Sequence, residues 1–286
     1  MAESITKITK LPELIKLEYT LFVLPFTYIG MLFAGIPTIL QFLLITVALV
    51  CARGAAFSAN RYFGWNYDIR NPKKINSPSV RNYHKNELFA VFLLFAIIFM
   101  TSAYLLNYLA FALAPLIILL IVLEPHAKKY TEHRHLSMGL IIGLAIPGGY
   151  IGMAGRFPLA LPIYILLAGY AFFSAGNDII YTINHRDFDK KEGLKTYPTK
   201  YRVKKALNIS ILYHVAAAAL FIIFGVMLNS IFVVLGAELS YIILMTEHRN
   251  LDHKDSDSLR ISFFNYNIAV SIVLLLAFAA FTLTAI

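Results

Sequence analysis

"LPIYILLAGYAFFSAGNDIIYTINHRDFDKKEG", residues 161–193, runs from an uncharged apolar segment directly into three aspartates and a basic tail. The segment is about as long as the ~20 residues that cross bilayer hydrocarbon as a helix. Ionisable groups inside a membrane cost roughly 2.5 kcal/mol or more each on insertion scales, so they usually face the bundle interior, pair, and mark a substrate or ion path. Oily blocks alternate with charged joints along the whole chain. Of 286 residues, 59% are apolar and 14% charged; soluble domains carry about a quarter charged residues, so this is the composition of an integral membrane protein.

The apolar residues fall into nine blocks, near 18–37, 38–61, 87–106, 108–123, 136–154, 161–183, 206–227, 229–245 and 263–285. The expected fold is all-α, a polytopic membrane protein with nine transmembrane helices. Charge placement tests that count, because cytoplasmic loops retain Lys and Arg. Of the 25 basic residues, 24 lie before span one, from Arg53 in the inner half of span two to Lys85, or after spans four, six and eight, all on one side of a nine-span layout; only Arg156 falls opposite. The N-terminus is expected inside, the C-terminus outside, and the protein in the cell membrane as a multi-pass species. The net charge of +9 is then mostly this bias, not a nucleic-acid footprint; the basic face suits anionic membrane lipid or an anionic substrate. Lys190, Lys191, Lys195, Lys200, Lys204 and Lys205 are read mainly as topology signals.

No removable signal peptide is visible at the N-terminus. One cysteine, Cys51, excludes an intramolecular disulfide. No phosphate-binding glycine loop is present, and the longest polar connections, about 25 residues, are too short for a further domain of ~50 residues. A single domain is expected over 1–286.

Two long basic joints echo each other: "ARGAAFSANRYFGWNYDIRNPKK" (52–74) after span two and "SAGNDIIYTINHRDFDKKEG" (174–193) after span six. An even number of spans between them places both on one membrane face. At ~100° per residue, Arg53 and Asn60 lie about 20° apart on a helix. Asp178, His185 and Asp189 also share one line if the helix continues, and Asp68 stays on the same half as Asn60. Asp187 would point away, so it is expected where the helix ends. Carboxylates attract a hard cation such as Mg²⁺, which takes one or two of them plus phosphate oxygens, and adjacent Lys and Arg neutralise phosphate directly. A lipid with a phosphorylated head at the inner interface satisfies both.

On these stretches, with "IKLEYTLFVLPFTYIG" (15–30) and "EPHAKKYTEHRHLSMG" (124–139), nearly the whole chain resembles the UbiA superfamily of intramembrane aromatic prenyltransferases, closest to the 4-hydroxybenzoate and menaquinone-pathway polyprenyltransferases. The resemblance implies a nine-helix fold and transfer of a polyprenyl group from a prenyl diphosphate to an aromatic acceptor, in quinone biosynthesis, with Mg²⁺ bridging two Asp-rich motifs. It places Asn60 and Asp68 in the first motif and Asp178 and Asp189 in the second. Arg53, Lys128 and Lys129 match diphosphate contacts, and Tyr181 matches a cavity tyrosine or marks the lipid interface. Asp68, Asp189, Asp187 and His185 are the implied metal ligands. Gly64 and His185 stand where the family carries earlier aspartates, which weakens the implied Mg²⁺ site. For His185 three readings stay open: an altered metal ligand, a phosphate hydrogen bond, or an incidental loop residue. Two other functions are weighed: a non-catalytic relative that binds isoprenoid lipid or serves as a partner subunit, and a transporter, disfavoured because the acids cluster at one face. Glu238 in span eight is an intramembrane acid with two readings open, a functional residue or a partner for a residue such as His214 in span seven.

Overall fold

A computed structural model describes residues 9–284. Among them are nine helices long and apolar enough to cross a membrane. They are α1 Leu17–Ala34, α2 Ile39–Asp68, α3 Lys85–Leu106, α4 Tyr108–Ala127, α5 Arg134–Ala154, α6 Leu161–Ile183, α7 Val203–Met227, α8 Ile231–Asn250 and α9 Ser256–Thr284. No strand occurs among the described residues. The nine expected blocks are all present, and the largest differences are at their ends. Helix α2 continues past residue 61 to Asp68, because no breaker intervenes until Pro72, whose ring pushes the preceding residue out of helical conformation.

Local chemistry sets the other boundaries. Thr38 opens α2 with a reciprocal cap: Gln41 N–H donates to Thr38 Oγ1 at 3.2 Å and Thr38 N–H donates to Gln41 Oε1 at 3.0 Å. Helix α5 is interrupted at Leu144. Pro147 has no N–H to continue the ladder back to Gly143. Large apolar side chains such as Leu40, Leu105 and Leu123 stand more than half exposed on the outer faces of α2, α3 and α4. Water would not tolerate that surface, whereas lipid solvates it. This is a multi-pass membrane protein.

The described residues gather into two compact units: those up to Leu21 with Thr38–Ala127, and Phe22–Pro37 with those from Lys128 onward. In the first, α2 lays Cys51, Ala55 and Ala59 against Leu88, Phe92, Phe95 and Ala96 of α3, and Ile121 of α4 joins the same core. In the second, α6 is the most buried helix, with Ile163, Leu166, Phe173, Ile179 and Ile180 fully enclosed. Its neighbours approach through small residues, as expected where lipid removes the hydrophobic drive and close contact must supply the attraction. A Cβ on Gly139 of α5 would lie 2.3 Å from the Ala171 carbonyl oxygen of α6. Likewise the second halves of α1 and α5 cross with backbones touching: a Cβ on Gly30 would meet the Ile146 carbonyl oxygen at 1.9 Å, and one on Gly149 the Thr27 carbonyl oxygen at 2.4 Å.

Those distances predict a contrast. Gly30→Ala must push two helix backbones apart and is expected to lose roughly 1–3 kcal/mol, lowering the unfolding midpoint of detergent-solubilised protein. Gly148→Ala, with no atom within 4 Å of the added carbon, is expected to leave the midpoint unchanged.

Candidate active site

The cytoplasm-proximal end expected for α2 carries a buried ion triad. Asp68, the last residue of α2, is 3% exposed. Its Oδ2 accepts from Arg61 Nη1 at 2.7 Å and its Oδ1 from Lys74 Nζ at 2.9 Å. Arg61 lies seven residues back, two helical turns, so it shares the face of Asp68. Lys74 is returned by the tight turn after the helix. There Asn71 Oδ1 accepts the Lys73 N–H at 3.0 Å, and the Asn71 carbonyl accepts the N–H groups of Lys74 and Ile75, both at 2.9 Å. One turn before Asp68, Gly64 is buried, yet an added Cβ would find nothing within 4 Å. Arg53 and Asn60 are half-buried on α2, and the Arg53 guanidinium sits 4.7 Å from the centre of the Phe57 ring.

The corresponding end of α6 is built around Asp178. Its Oδ2 accepts from His135 Nδ1 at 2.6 Å and lies 3.2 Å from Arg134 Nη1. On the far side of the fully buried imidazole, the Tyr197 N–H donates to His135 Nε2 at 3.3 Å. An Nε2 that accepts carries no proton, so His135 is assigned as the neutral Nδ1–H tautomer, donating to the carboxylate. The Tyr197 ring stacks on the imidazole at 5.4 Å between centroids. The Tyr197 hydroxyl meets His133 Nδ1 at 2.8 Å and Tyr213 Oη at 2.9 Å. Burial, reinforced by the Tyr213 hydrogen bond, pushes the Tyr197 phenol up from its ordinary pKa, so it stays protonated at neutral pH.

The segment from Lys128 to Arg134 is zipped to the loop after the second motif. Lys195 N–H donates to the Lys128 carbonyl at 2.7 Å, Lys195 Nζ donates to the Tyr130 carbonyl at 3.2 Å, and Lys200 pairs with Glu132. Hydrogen bonding from Lys200 holds the Glu132 carboxyl below its usual pKa. Arg186 Nε donates to the Pro198 carbonyl at 2.8 Å. These bonds fix the loop whose Tyr197 N–H reaches His135.

The expected alignment of Asp178, His185 and Asp189 on one continuous helix is corrected. Helix α6 ends at Ile183. Its last turn tightens, with Asn184 N–H donating to the Tyr181 carbonyl at 3.3 Å and His185 N–H to the Thr182 carbonyl at 3.0 Å. A new short helix, Arg186–Lys191, then starts with Asp187 and Asp189 in its first turn, where unpaired N–H groups favour carboxylates. Asp187 lies beyond the helix end as expected, 3.2 Å from Arg186 with a 95% exposed side chain. Asp189 and His185 are half-buried. The Tyr181 ring lies between His185, 5.6 Å away, and Phe263, 5.0 Å away. Lys129 is exposed and Lys128 half-buried.

Sequence reasoning missed Arg61, Lys74, Arg134, His135 and Tyr197. Arg61 was within reach, because its seven-residue step to Asp68 is the step from Arg53 to Asn60; the long-range partners left no local signal. The His214 pairing read for Glu238 is also corrected: Glu238 is exposed. His214 Nδ1 instead meets His248 Nε2 at 2.9 Å and lies 3.8 Å from the fully buried Glu247, which accepts the Ser262 hydroxyl at 2.7 Å. Glu238 and Glu247 are nine residues apart, about 900°, and so occupy opposite faces of α8.

Among the described residues no group of three His, Cys, Asp or Glu side chains is disposed to hold a metal ion. Mg²⁺ needs only one or two carboxylates when substrate phosphates complete its shell. Asp187 and Asp189 are hard oxygen donors on the short helix Arg186–Lys191, about 200° apart around it, and Asp68 has both oxygens in ion pairs.

A model of the UbiA prenyltransferase family matches residues 23–269. The chain belongs to this family. It is 27% identical to the 4-hydroxybenzoate octaprenyltransferase of Shewanella piezotolerans over 192 residues, 67% of this chain and 66% of that protein's length. The apo structure of a UbiA homolog from Aeropyrum pernix K1 superposes with a TM-score of 0.80 at 28% identity, covering 92% of this chain and 98% of that one. A UbiA homolog from Archaeoglobus fulgidus bound to GPP and Mg²⁺ has a TM-score of 0.73 at 17% identity, covering 96% and 99%.

Asp178→Ala is expected to lose about 3–5 kcal/mol, because Arg134 is left as a buried charge without its carboxylate. Asp178→Asn keeps an acceptor for His135 and should lose less, and Tyr197→Phe about 1 kcal/mol. Thermal unfolding midpoints of the three variants, measured in one detergent, check the order.

Proposed function

We propose that this UbiA family member transfers a polyprenyl group from a prenyl diphosphate to a hydroxybenzoate-like or naphthoate-like aromatic acid, in quinone biosynthesis, at the inner face of the cell membrane. The family match over residues 23–269 carries the reading. The 4-hydroxybenzoate octaprenyltransferase relative supports the acceptor class, and the GPP- and Mg²⁺-bound homolog supports the donor and metal. Basic residues on 24 of 25 occasions lie on the face assigned to the cytoplasm.

The chemistry asks three things of the protein. The diphosphate must be held as it takes the electron pair of the breaking carbon–oxygen bond, which falls to Arg53, Asn60, Lys128 and Lys129, with Asp68 and Asp178 setting neighbouring cations. Asp189, with Asp187 and His185 on the same short segment, would hold Mg²⁺, which would supply charge neutralisation for the leaving group. The acceptor ring must face the allylic cation with water excluded, and Tyr181, between His185 and Phe263, presents an aromatic face for both tasks. The ring then forms the new carbon–carbon bond and releases its proton.

Purified protein supplied with a long-chain prenyl diphosphate, Mg²⁺ and a panel of aromatic acids should yield prenylated acid by mass spectrometry. Asp189→Ala should lower turnover at least ~100-fold, and chelation of the metal should stop it. Binding of the diphosphate with no product from any acceptor would move the protein to the non-catalytic, isoprenoid-binding class.

A further inference from the structure

We infer that Tyr197, through its backbone N–H, and His135 are positioning residues for prenyl transfer: the amide selects where the imidazole carries its proton, and the imidazole then aims Asp178 at Arg134. The inference rests on the prenyl-transfer reading and adds to it the loop that holds the basic strip from Lys128 to Arg134. All of these residues belong to one compact unit.

Its basis is what each ring nitrogen faces. His135 is fully buried at the start of α5. The Tyr197 N–H donates to its Nε2 at 3.3 Å, and its Nδ1 stands 2.6 Å from Asp178 Oδ2. Which nitrogen carries the proton is set by the bond that the other makes, and a backbone N–H only donates. The imidazolium and the Nε2–H tautomer would each set a second proton against the amide, and the latter would also turn a bare Nδ1 toward the carboxylate. One arrangement remains, Nδ1–H toward Asp178.

The amide is itself fixed. Thr196 caps the short helix Tyr197–Lys200, its Oγ1 accepting the Thr199 N–H at 3.2 Å. Lys195 N–H donates to the Lys128 carbonyl at 2.7 Å, and the Tyr197 ring stacks on the imidazole with 14° between planes. Asp178, so oriented, lies 3.2 Å from Arg134 Nη1. Arg134 closes the strip that begins with Lys128, the residue proposed to contact the diphosphate, so a slack Tyr197–His135 contact loosens the strip at its end.

The test separates the amide from the rest of Tyr197. Tyr197→Pro deletes the N–H at the first position of a helix, where proline fits, and Thr196, at φ −138° and ψ 162°, already has the extended backbone that precedes proline. Tyr197→Ala keeps the N–H and loses the ring, so the difference between the two variants reports the amide. Full-length protein in detergent is assayed with a long-chain prenyl diphosphate, Mg²⁺ and the aromatic acid of the panel that wild type prenylates. Nitrogen NMR spectra of isotope-labelled histidine, assigned by the signal lost in His135→Gln, read the two ring nitrogens. Wild type should show Nδ1 protonated and Nε2 bare. Relative to Tyr197→Ala, Tyr197→Pro should show a mixture of tautomers and a kcat/KM for the prenyl diphosphate lower by about 10-fold or more, with the KM for the aromatic acid unchanged. His135→Gln, whose amide offers a donor and an acceptor, should retain more activity than His135→Leu, which offers neither. A bare wild-type Nδ1, equal kcat/KM in Tyr197→Pro and Tyr197→Ala, or equal activity in the two His135 variants overturns the positioning role while prenyl transfer stands; the His135 pair decides if Tyr197→Pro does not fold. No product from wild type with any acid of the panel overturns the transfer reading and the positioning role with it, whatever tautomer the spectra show.

Discussion

A charge in hydrocarbon must meet its partner inside the protein, and the buried aspartates at the ends of α2 and α6 do so. Asp68 is met by Arg61 and Lys74, and Asp178 by Arg134 and His135. Breaking such a pair by removing one member strands the other and costs about 3–5 kcal/mol, a large share of the 5–15 kcal/mol that separates folded from unfolded domains. The pairs therefore constrain which helices can sit beside one another. They also fix the orientation of groups that an anionic substrate would meet, so one constraint serves stability and function together.

Helix packing delivers the partners. Gly139 brings α5 against α6 closely enough that an added Cβ would strike the Ala171 carbonyl oxygen, and the first turn of α5 is then in register to present Arg134 and His135 to Asp178. At Gly176 the same device admits the His214 ring, 2.3 Å from where a Cβ would lie, and Ser210 anchors the crossing by donating to the Gly176 carbonyl at 2.7 Å. Small residues thus exchange side-chain volume for backbone proximity, and proximity places the polar groups. Beyond the membrane-spanning part, the Lys128–Arg134 strip and the Lys195–Lys200 loop hold each other through backbone and lysine side-chain bonds, which aim the Tyr197 N–H at His135.

Much of this was legible in the sequence. Nine apolar blocks and the one-sided placement of Lys and Arg follow from the cost of polar backbone and charge in lipid, which acts residue by residue along the chain. The acidic stretches after the second and sixth spans stood out for the same reason. Reading failed where the backbone changed course. Helical angle placed Asp178 and Asp189 on one line, but the tightened turn at Asn184 and His185 starts a second helix and breaks the phase. Glu238 drew notice because hydropathy marks an acid inside a span without saying which face looks inward, while Glu247 fell beyond the expected end of span eight at 245.

Sequence by itself determined the number of spans and which segments carry the acids, because transfer of each residue from water to hydrocarbon depends on that residue and its near neighbours. Tertiary structure alone decided who neutralises whom. Asp178 and His135 are separated by 43 residues and His135 and Tyr197 by 62, and no local pattern encodes a contact made only when glycine-faced helices close on one another. The Asp68 triad sits between these cases: helical period sets Arg61 on the face of Asp68, but the turn at Asn71 that brings Lys74 back is a matter of folded geometry.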